Sequence, residues 1–185
     1  MRGQAGTTMI ELLITIAISA FGLLGIAGLQ TRMHVSEMEA AQRAQATILL
    51  KHMIDRIAAN RKSAMSYVTA SELGTAVQDC SGLTSAALDL CEWNNLLAGA
   101  SETSGSARLG AMIGARGCIV NVDAVMPRKF VVAVVWQGLT PTVAPGGTTC
   151  GANQYGDERK RRAMLAPVVF GCLQNDIDTG ACVTP

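Results

Sequence analysis

From Leu12 to Leu29 the chain is apolar, interrupted only by small or weakly polar residues. That run approaches the roughly 20 residues a helix needs to cross a bilayer. No proline occurs between Thr8 and Asn60, and glycine appears there only at Gly22, Gly25 and Gly28. The pattern predicts one continuous helix. Its first half is apolar on every face, as a membrane span or a buried helix must be. Beyond Arg32 it turns amphipathic: Ala46, Leu49, Leu50, Met53 and Ile57 recur at helical spacing, while Arg43, Lys51, Asp55 and Arg56 fall on other faces. The simplest role for that stripe is packing against the chain's own following domain. The glycines stand one residue short of the small-xxx-small spacing that packs helices. They mark a weaker, bendable stretch, each costing about 1 kcal/mol against Ala.

The later pattern changes character. Residues 61–79 suggest a loop with a short helical piece. Thr84–Ala98 predicts a second helix, with Ser85 capping its start, Ala86, Leu90, Trp93 and Leu97 on its apolar face, and Gly99 just past its end. Residues 99–111 form a polar loop of small residues. Cys118, Val120 and Val122 alternate with Ile119, Asn121 and Asp123, and Phe130–Trp136 is a β-branched apolar run. The connection around Pro127 and Arg128 pairs these two as an antiparallel hairpin. Ala163–Phe170 is a third strand, which Pro167 confines to an edge or a bulge. Thr140–Cys150 is a long Pro-, Gly- and Thr-rich loop.

The start of the chain adds chemistry. Gly6-Thr7-Thr8-Met9-Ile10-Glu11 places one acid at the edge of the apolar run. A carboxylate inside a membrane costs about 2.5–3.5 kcal/mol at the centre and less near an interface. It therefore calls for a partner, and an α-amino group freed by cutting after Gly6 is the obvious one. A secretory signal would have a more basic start, a shorter apolar core and a small-residue cleavage site behind it; a plain membrane anchor would not account for Glu11. The pattern resembles the class III signal of type IV prepilins. That resemblance implies cleavage between Gly6 and Thr7 by a prepilin peptidase, N-methylation of Thr7, and a role for Glu11 in assembly. Thr7 stands where this family usually has Phe.

Composition narrows the partners. The net charge of +1 over 185 residues and 4% aromatics argue against nucleic acid and against extended stacking platforms. Arg159, Lys160, Arg161 and Arg162 form the one dense basic run, a candidate anion contact set against the simpler reading of a solvated hairpin loop offset by Asp157 and Glu158. Both histidines, His34 and His52, lie in the first helix, so the domain beyond it lacks the base of a Ser-His or Cys-His arrangement. The chain is expected to be no enzyme and to need no cofactor. Asp176-x-Asp178-x-Gly180 only faintly resembles a calcium loop and lacks its later Glu; no metal is expected.

All six cysteines (Cys80, Cys91, Cys118, Cys150, Cys172 and Cys182) follow the apolar segment. An even number there fits disulfides in an oxidising compartment. Six cysteines allow fifteen pairings; closeness in sequence favours Cys80–Cys91 and Cys172–Cys182, which leaves Cys118–Cys150. Arg2 and the amino terminus favour a cytoplasmic start. A single-pass inner-membrane protein with a periplasmic domain follows, consistent with the cysteines.

The resemblance extends beyond the leader. Gly22–Gln30, Ile54–Arg61, Cys91-Glu92-Trp93-Asn94, Gly117-Cys118-Ile119, Val134-Val135-Trp136-Gln137-Gly138 and Cys150-Gly151 are similar to segments of the PilV family of type IV pilus modification proteins. The family implies an α+β, type IV pilin-like fold: a long N-terminal α-helix packed on a small antiparallel β-sheet. The expected organisation is a leader at 1–6, an N-terminal helix at 7–60 (7–30 transmembrane, 31–60 amphipathic) and a disulfide-stabilised domain at 61–185. The implied function is that of a minor pilin that helps prime pilus assembly at or near the filament tip, supporting adhesion and twitching motility. Its partners would be other minor pilins, the major pilin, the prepilin peptidase and a tip adhesin; its location the inner membrane, then the extracellular pilus. Rival readings are a minor pseudopilin of a type II secretion system and a DNA- or surface-binding tip module using Arg159–Arg162.

Overall fold

The computed structural model describes residues 8–100, 103–104, 107–108, 112–123 and 128–171. Gly6, Thr7, Cys172 and Cys182 lie outside them. The chain divides into two compact units at Ala40/Ala41.

The first unit consists of the opening part of α1 (Met9–Ala59). Its 18-residue apolar window has a mean hydropathy of 2.4. Every residue from Thr8 to His34 is exposed, including Leu12, Leu13, Ile14, Phe21, Leu23 and Leu24. The helix is continuous through Gly22, Gly25 and Gly28, none of which has a neighbour within 4 Å of where a Cβ would stand. A helix apolar on all sides and covered on none must find its apolar surroundings outside this unit.

The second unit begins where the amphipathic pattern takes over. Gln42, Ala46, Leu49, Leu50, Met53 and Ile57 are the buried residues of α1, so the apolar stripe lies on a core. That core continues through a 3-10 segment (Arg61–Tyr67), α2 (Ser85–Leu97) and one face of a three-stranded antiparallel sheet. The strands β3 (Ile113–Asp123), β4 (Arg128–Gln137) and β5 (Arg161–Phe170) pair in the order β3-β4-β5. Period-two alternation aims Ile119, Phe130, Val132, Val134, Trp136, Val168 and Phe170 at the helices. Phe130 and Phe170 meet edge-on at 6.0 Å, and the Arg61 guanidinium lies 5.5 Å from the Phe170 ring centroid.

Two local details differ from the sequence expectation. Thr84, not Ser85, is the N-cap of α2, and it makes no side-chain cap bond. Ser85 adopts a positive φ of 54°, and its hydroxyl instead accepts from Asn60 Nδ2 at 2.9 Å. The other end behaves as expected: Gly99 N–H donates to Leu96 O and Ala100 N–H to Asn95 O, closing the helix in a Schellman arrangement. The loop at 99–111 also contains paired backbone, β1 (Thr103–Ser104) with β2 (Ala107–Arg108), which a run of small polar residues does not announce.

The sheet's margins are shaped by sequence. β3 is bulged between Ile113 and Arg116 and again between Asn121 and Asp123. Its free edge is partly closed by Leu73, which exchanges backbone hydrogen bonds with Gly117. Pro167 stands opposite Val131 in an unbroken register, so its nitrogen, which has no proton to donate, points away from β4. Trp93 and Leu97 of α2 press directly on Gly117: a Cβ there would fall 2.6 Å from Leu97 Cδ1. The Trp93 indole N–H donates to Leu49 O at 3.0 Å, tying α2 to α1.

Candidate functional site

In the first unit the chemistry sits at the beginning of α1. Thr8 precedes the first helical residue; its carbonyl accepts from Leu12 N–H at 3.2 Å and its hydroxyl from Glu11 N–H at 3.4 Å. Thr8 is thus an N-cap, and Thr8-x-x-Glu11 has the spacing of a capping box, with the acid three residues past the cap. The Thr-x-x-Glu spacing is itself the sequence signal for this cap. An acid in the first turn also suits the positive end of the helix. Glu11 is exposed, like the apolar residues around it.

In the second unit the basic run lies against its own loop. Arg161 is only 5% exposed. Its Nε meets Glu158 Oε2 at 2.7 Å, Nη1 donates to Thr148 O at 3.1 Å and Cys150 O at 3.0 Å, and Nη2 donates to Pro145 O at 3.3 Å. Arg159 pairs with Asp157 at 3.0 Å, and Arg162 donates to Thr140 O at 2.7 Å and Arg159 O at 3.1 Å. The Glu158 carboxyl is held below the usual range by the Asn153 N–H and then by Arg161; Asp157 is held down by Arg159. Three of the four basic residues therefore hold the loop, and Arg161 is too buried to reach an external anion. Lys160 makes a backbone bond, its N–H donating to Asp157 O.

The same loop is fastened to the outer face of the sheet. Cys118 of β3 is bonded to Cys150. Glu72 accepts the Gly151 N–H at 2.7 Å, and Tyr155 OH donates to Gly114 O at 2.8 Å. Burial pushes the Tyr155 hydroxyl up to about 12, so it stays a donor throughout the physiological range. Gly151 needs its glycine: φ is +66°, and a Cβ would meet Val135 Cγ2 at 2.6 Å. Glu72 lies near both sulfurs of Cys118 and Cys150. Those sulfurs are joined to each other and Glu72 is bonded to the loop, so the trio acts as a fastener, without thiolates to offer an ion. The other disulfide among the described residues, Cys80–Cys91, ties the approach to α2 to the helix itself.

A polar network joins α1 to α2. Arg56 Nη1 meets Asp89 Oδ1 at 2.6 Å, its Nη2 meets Glu92 Oε2 at 2.6 Å, and its Nε donates to His52 Nε2 at 3.2 Å. Tyr67 OH donates to Asp89 Oδ2, and Asn60 Nδ2 donates to Tyr67 OH at 3.2 Å. Burial opposes the Arg56 charge, but Glu92 and Asp89 outweigh it and raise its pKa. Burial first, and the Arg56 charge second, lower that of His52. Arg56 looked solvent-facing from its helical position; the acids that hold it belong to another helix.

Residues 1–27 match the family described as Prokaryotic N-terminal methylation motif. The motif marks a type IV pilin-like prepilin. No curated protein and no solved structure matches the chain significantly. A prepilin motif implies processing by a prepilin peptidase and assembly with other pilins, and points to a structural subunit. The uncovered apolar helix behind the motif fits a membrane-anchored pilin. The second unit, helices over a small antiparallel sheet, completes a pilin-like α+β fold.

Proposed function

We propose that this prepilin is a minor pilin, stored in the inner membrane with its disulfide-bonded domain in the periplasm and then drawn into a type IV pilus. It would be cut between Gly6 and Thr7, methylated at Thr7, and would help prime assembly at or near the filament tip, serving adhesion and twitching motility. The observation that carries this reading is the apolar helix behind the motif: from Met9 to Leu29 it is exposed on every side and carries one acid, Glu11. In lipid this surface is satisfied by acyl chains; in a filament the equivalent helices of other subunits replace them. An unpaired carboxylate is costly in either setting. A neighbouring subunit's N-terminal amine offsets that cost through a charge-assisted contact.

The test is Glu11→Ala. Cleavage and membrane insertion should persist, because removing a charge makes insertion easier. The ratio of this subunit in sheared pili to that in membranes should fall relative to wild type at equal expression. An unchanged ratio would remove the assembly role of Glu11.

A further inference from the structure

The connection from β4 to β5, residues 138–160, is held on the outer face of the sheet by the Cys118–Cys150 bond and by polar contacts on either side of it. Arg161 Nη1 donates to the carbonyls of Thr148 and Cys150, and the next residue, Gly151, donates its N–H to Glu72. Cys150 is therefore gripped at its own carbonyl and at the amide that follows. Neither grip uses a sulfur. Arg161 is placed by the strand ladder, in register with Gln137 of β4, and Cys118 by the same strand, in register with Ala133. Glu72 is placed by its neighbour Leu73, whose backbone exchanges hydrogen bonds with Gly117, the residue before Cys118. Once its strands are paired, the sheet thus presents a guanidinium and a carboxylate beside Cys118, ready for the stretch that carries Cys150. Tyr155 OH, donating to Gly114 O, adds a hold further along the same connection.

We propose that this connection is a strap that docks through its polar contacts before the disulfide closes, and that docking selects Cys118 as the partner of Cys150. Chain length does not make that choice. Cys172 is closer to Cys150 in sequence than Cys118 is. Loop closure grows only logarithmically more costly with length, so an undirected chain forms the wrong bond at least as readily. The clamp reverses that preference. Arg161 is 5% exposed, and its bonds to the strap are charge-assisted and shielded from water, where they are strong. Thiols held beside each other react at a far higher effective concentration than thiols on a flexible chain. The closing step is thiol–disulfide exchange with an external disulfide such as oxidised glutathione. Cys150 first forms a mixed disulfide with one glutathione and releases the other. The Cys118 thiolate then attacks the Cys150 sulfur, the Cys118–Cys150 bond forms, and the second glutathione leaves as a thiolate. The protein thiols give up their electrons and protons, and the external disulfide ends as a pair of free thiols.

The experiment uses the full-length chain in detergent micelles, reduced and unfolded in urea, then returned to native buffer containing reduced and oxidised glutathione. Disulfides are mapped by mass spectrometry after trypsin digestion without reduction. Trypsin separates Cys118 from Cys150, whereas Cys80 and Cys91 stay within one peptide. In the wild type, Cys150 is expected on Cys118. With Glu72→Ala and Arg161→Met together, the fraction of Cys150 joined to Cys118 should fall about fivefold, because the strap loses its bonds to charged groups. Cys150 should then appear on Cys172 or Cys182, while Cys80–Cys91 forms as in the wild type. Glu72→Gln, which still offers an oxygen to the Gly151 N–H, should pair as the wild type does. The order of events is read on Cys118→Ser combined with Cys150→Ser. Hydrogen exchange in residues 148–155 should stay as slow as in the wild type, and become fast when Arg161→Met is added. Unchanged pairing in the clamp variant, or fast exchange in the serine variant, would overturn the proposal. Loss of Cys80–Cys91 together with Cys118–Cys150 would overturn it too, by making the clamp a determinant of folding at large. The pilus reading rests on the first unit and does not depend on any of these outcomes.

Discussion

At Gly117 the absence of a side chain decides the packing. Trp93 fills the space a Cβ would need, and Trp93 itself is fully buried and bonded to α1. Gly117→Ala must push the indole and Leu97 away from β3, which should cost about 1–3 kcal/mol as overpacking in a tight core does. Denaturant unfolding of the variant in detergent would measure it; an unchanged midpoint would mean that α2 can slide. Arg161 is the opposite case, a buried charge made tolerable by one carboxylate and three carbonyls. Lys offers a point charge with no planar fork and cannot reproduce that geometry. Arg161→Lys should lower the melting temperature and speed proteolysis within residues 140–157, read by limited digestion. Neither role was legible from the sequence. Gly117 looked like one glycine among many, and Arg161 was one of four adjacent cations.

Among the elements, the two helices and three strands were legible because each has a period. The stripe from Ala46 to Ile57 predicted the buried face of α1, but alternation left the faces of the strands open: in β3 it is Ile119 that turns inward, while Val120 and Val122 are exposed. What had no period was not legible. The β1–β2 pair lies in a stretch without apolar alternation, and the bond network of Arg56 depends on where α2 docks. That network gives the α1–α2 contact a pH dependence. His52 is held below its ordinary value of 6.5 by burial and by Arg56, with Glu92, Asp89 and Asp55 partly countering. The unfolded chain therefore takes up a proton more readily than the folded one. The stability this represents is complete above the unfolded pKa of 6.5 and is lost as pH falls toward the lowered folded value. The urea midpoint should drop as pH is lowered through 6.5. His52→Gln, which can still accept from Arg56 Nε, should flatten that segment of the curve. A midpoint equally pH-dependent in the variant would assign the effect elsewhere. Asp157 and Glu158, with lowered pKa values, add a separate acid loss below the usual carboxylate range.

In the whole molecule, the amino terminus and the cysteines can be tested separately. Gly6→Glu should leave full-length precursor in the inner membrane, and the wild-type mature chain should begin at Thr7 by mass spectrometry; a different start would remove the proposed cleavage site. Alkylation without reduction should leave all six cysteines unlabelled. Labelling of Cys172 and Cys182 alone would confine the oxidised bonds to the two described here, Cys80–Cys91 and Cys118–Cys150. The proline in β5 bears on how such a chain behaves in a crowd. Where copies of a domain meet, an unpaired border strand is a template on which a neighbour's strand can freeze. The missing amide proton of Pro167 interrupts that template midway along its length. Copies of this domain can touch along that border without zipping together as amyloid does.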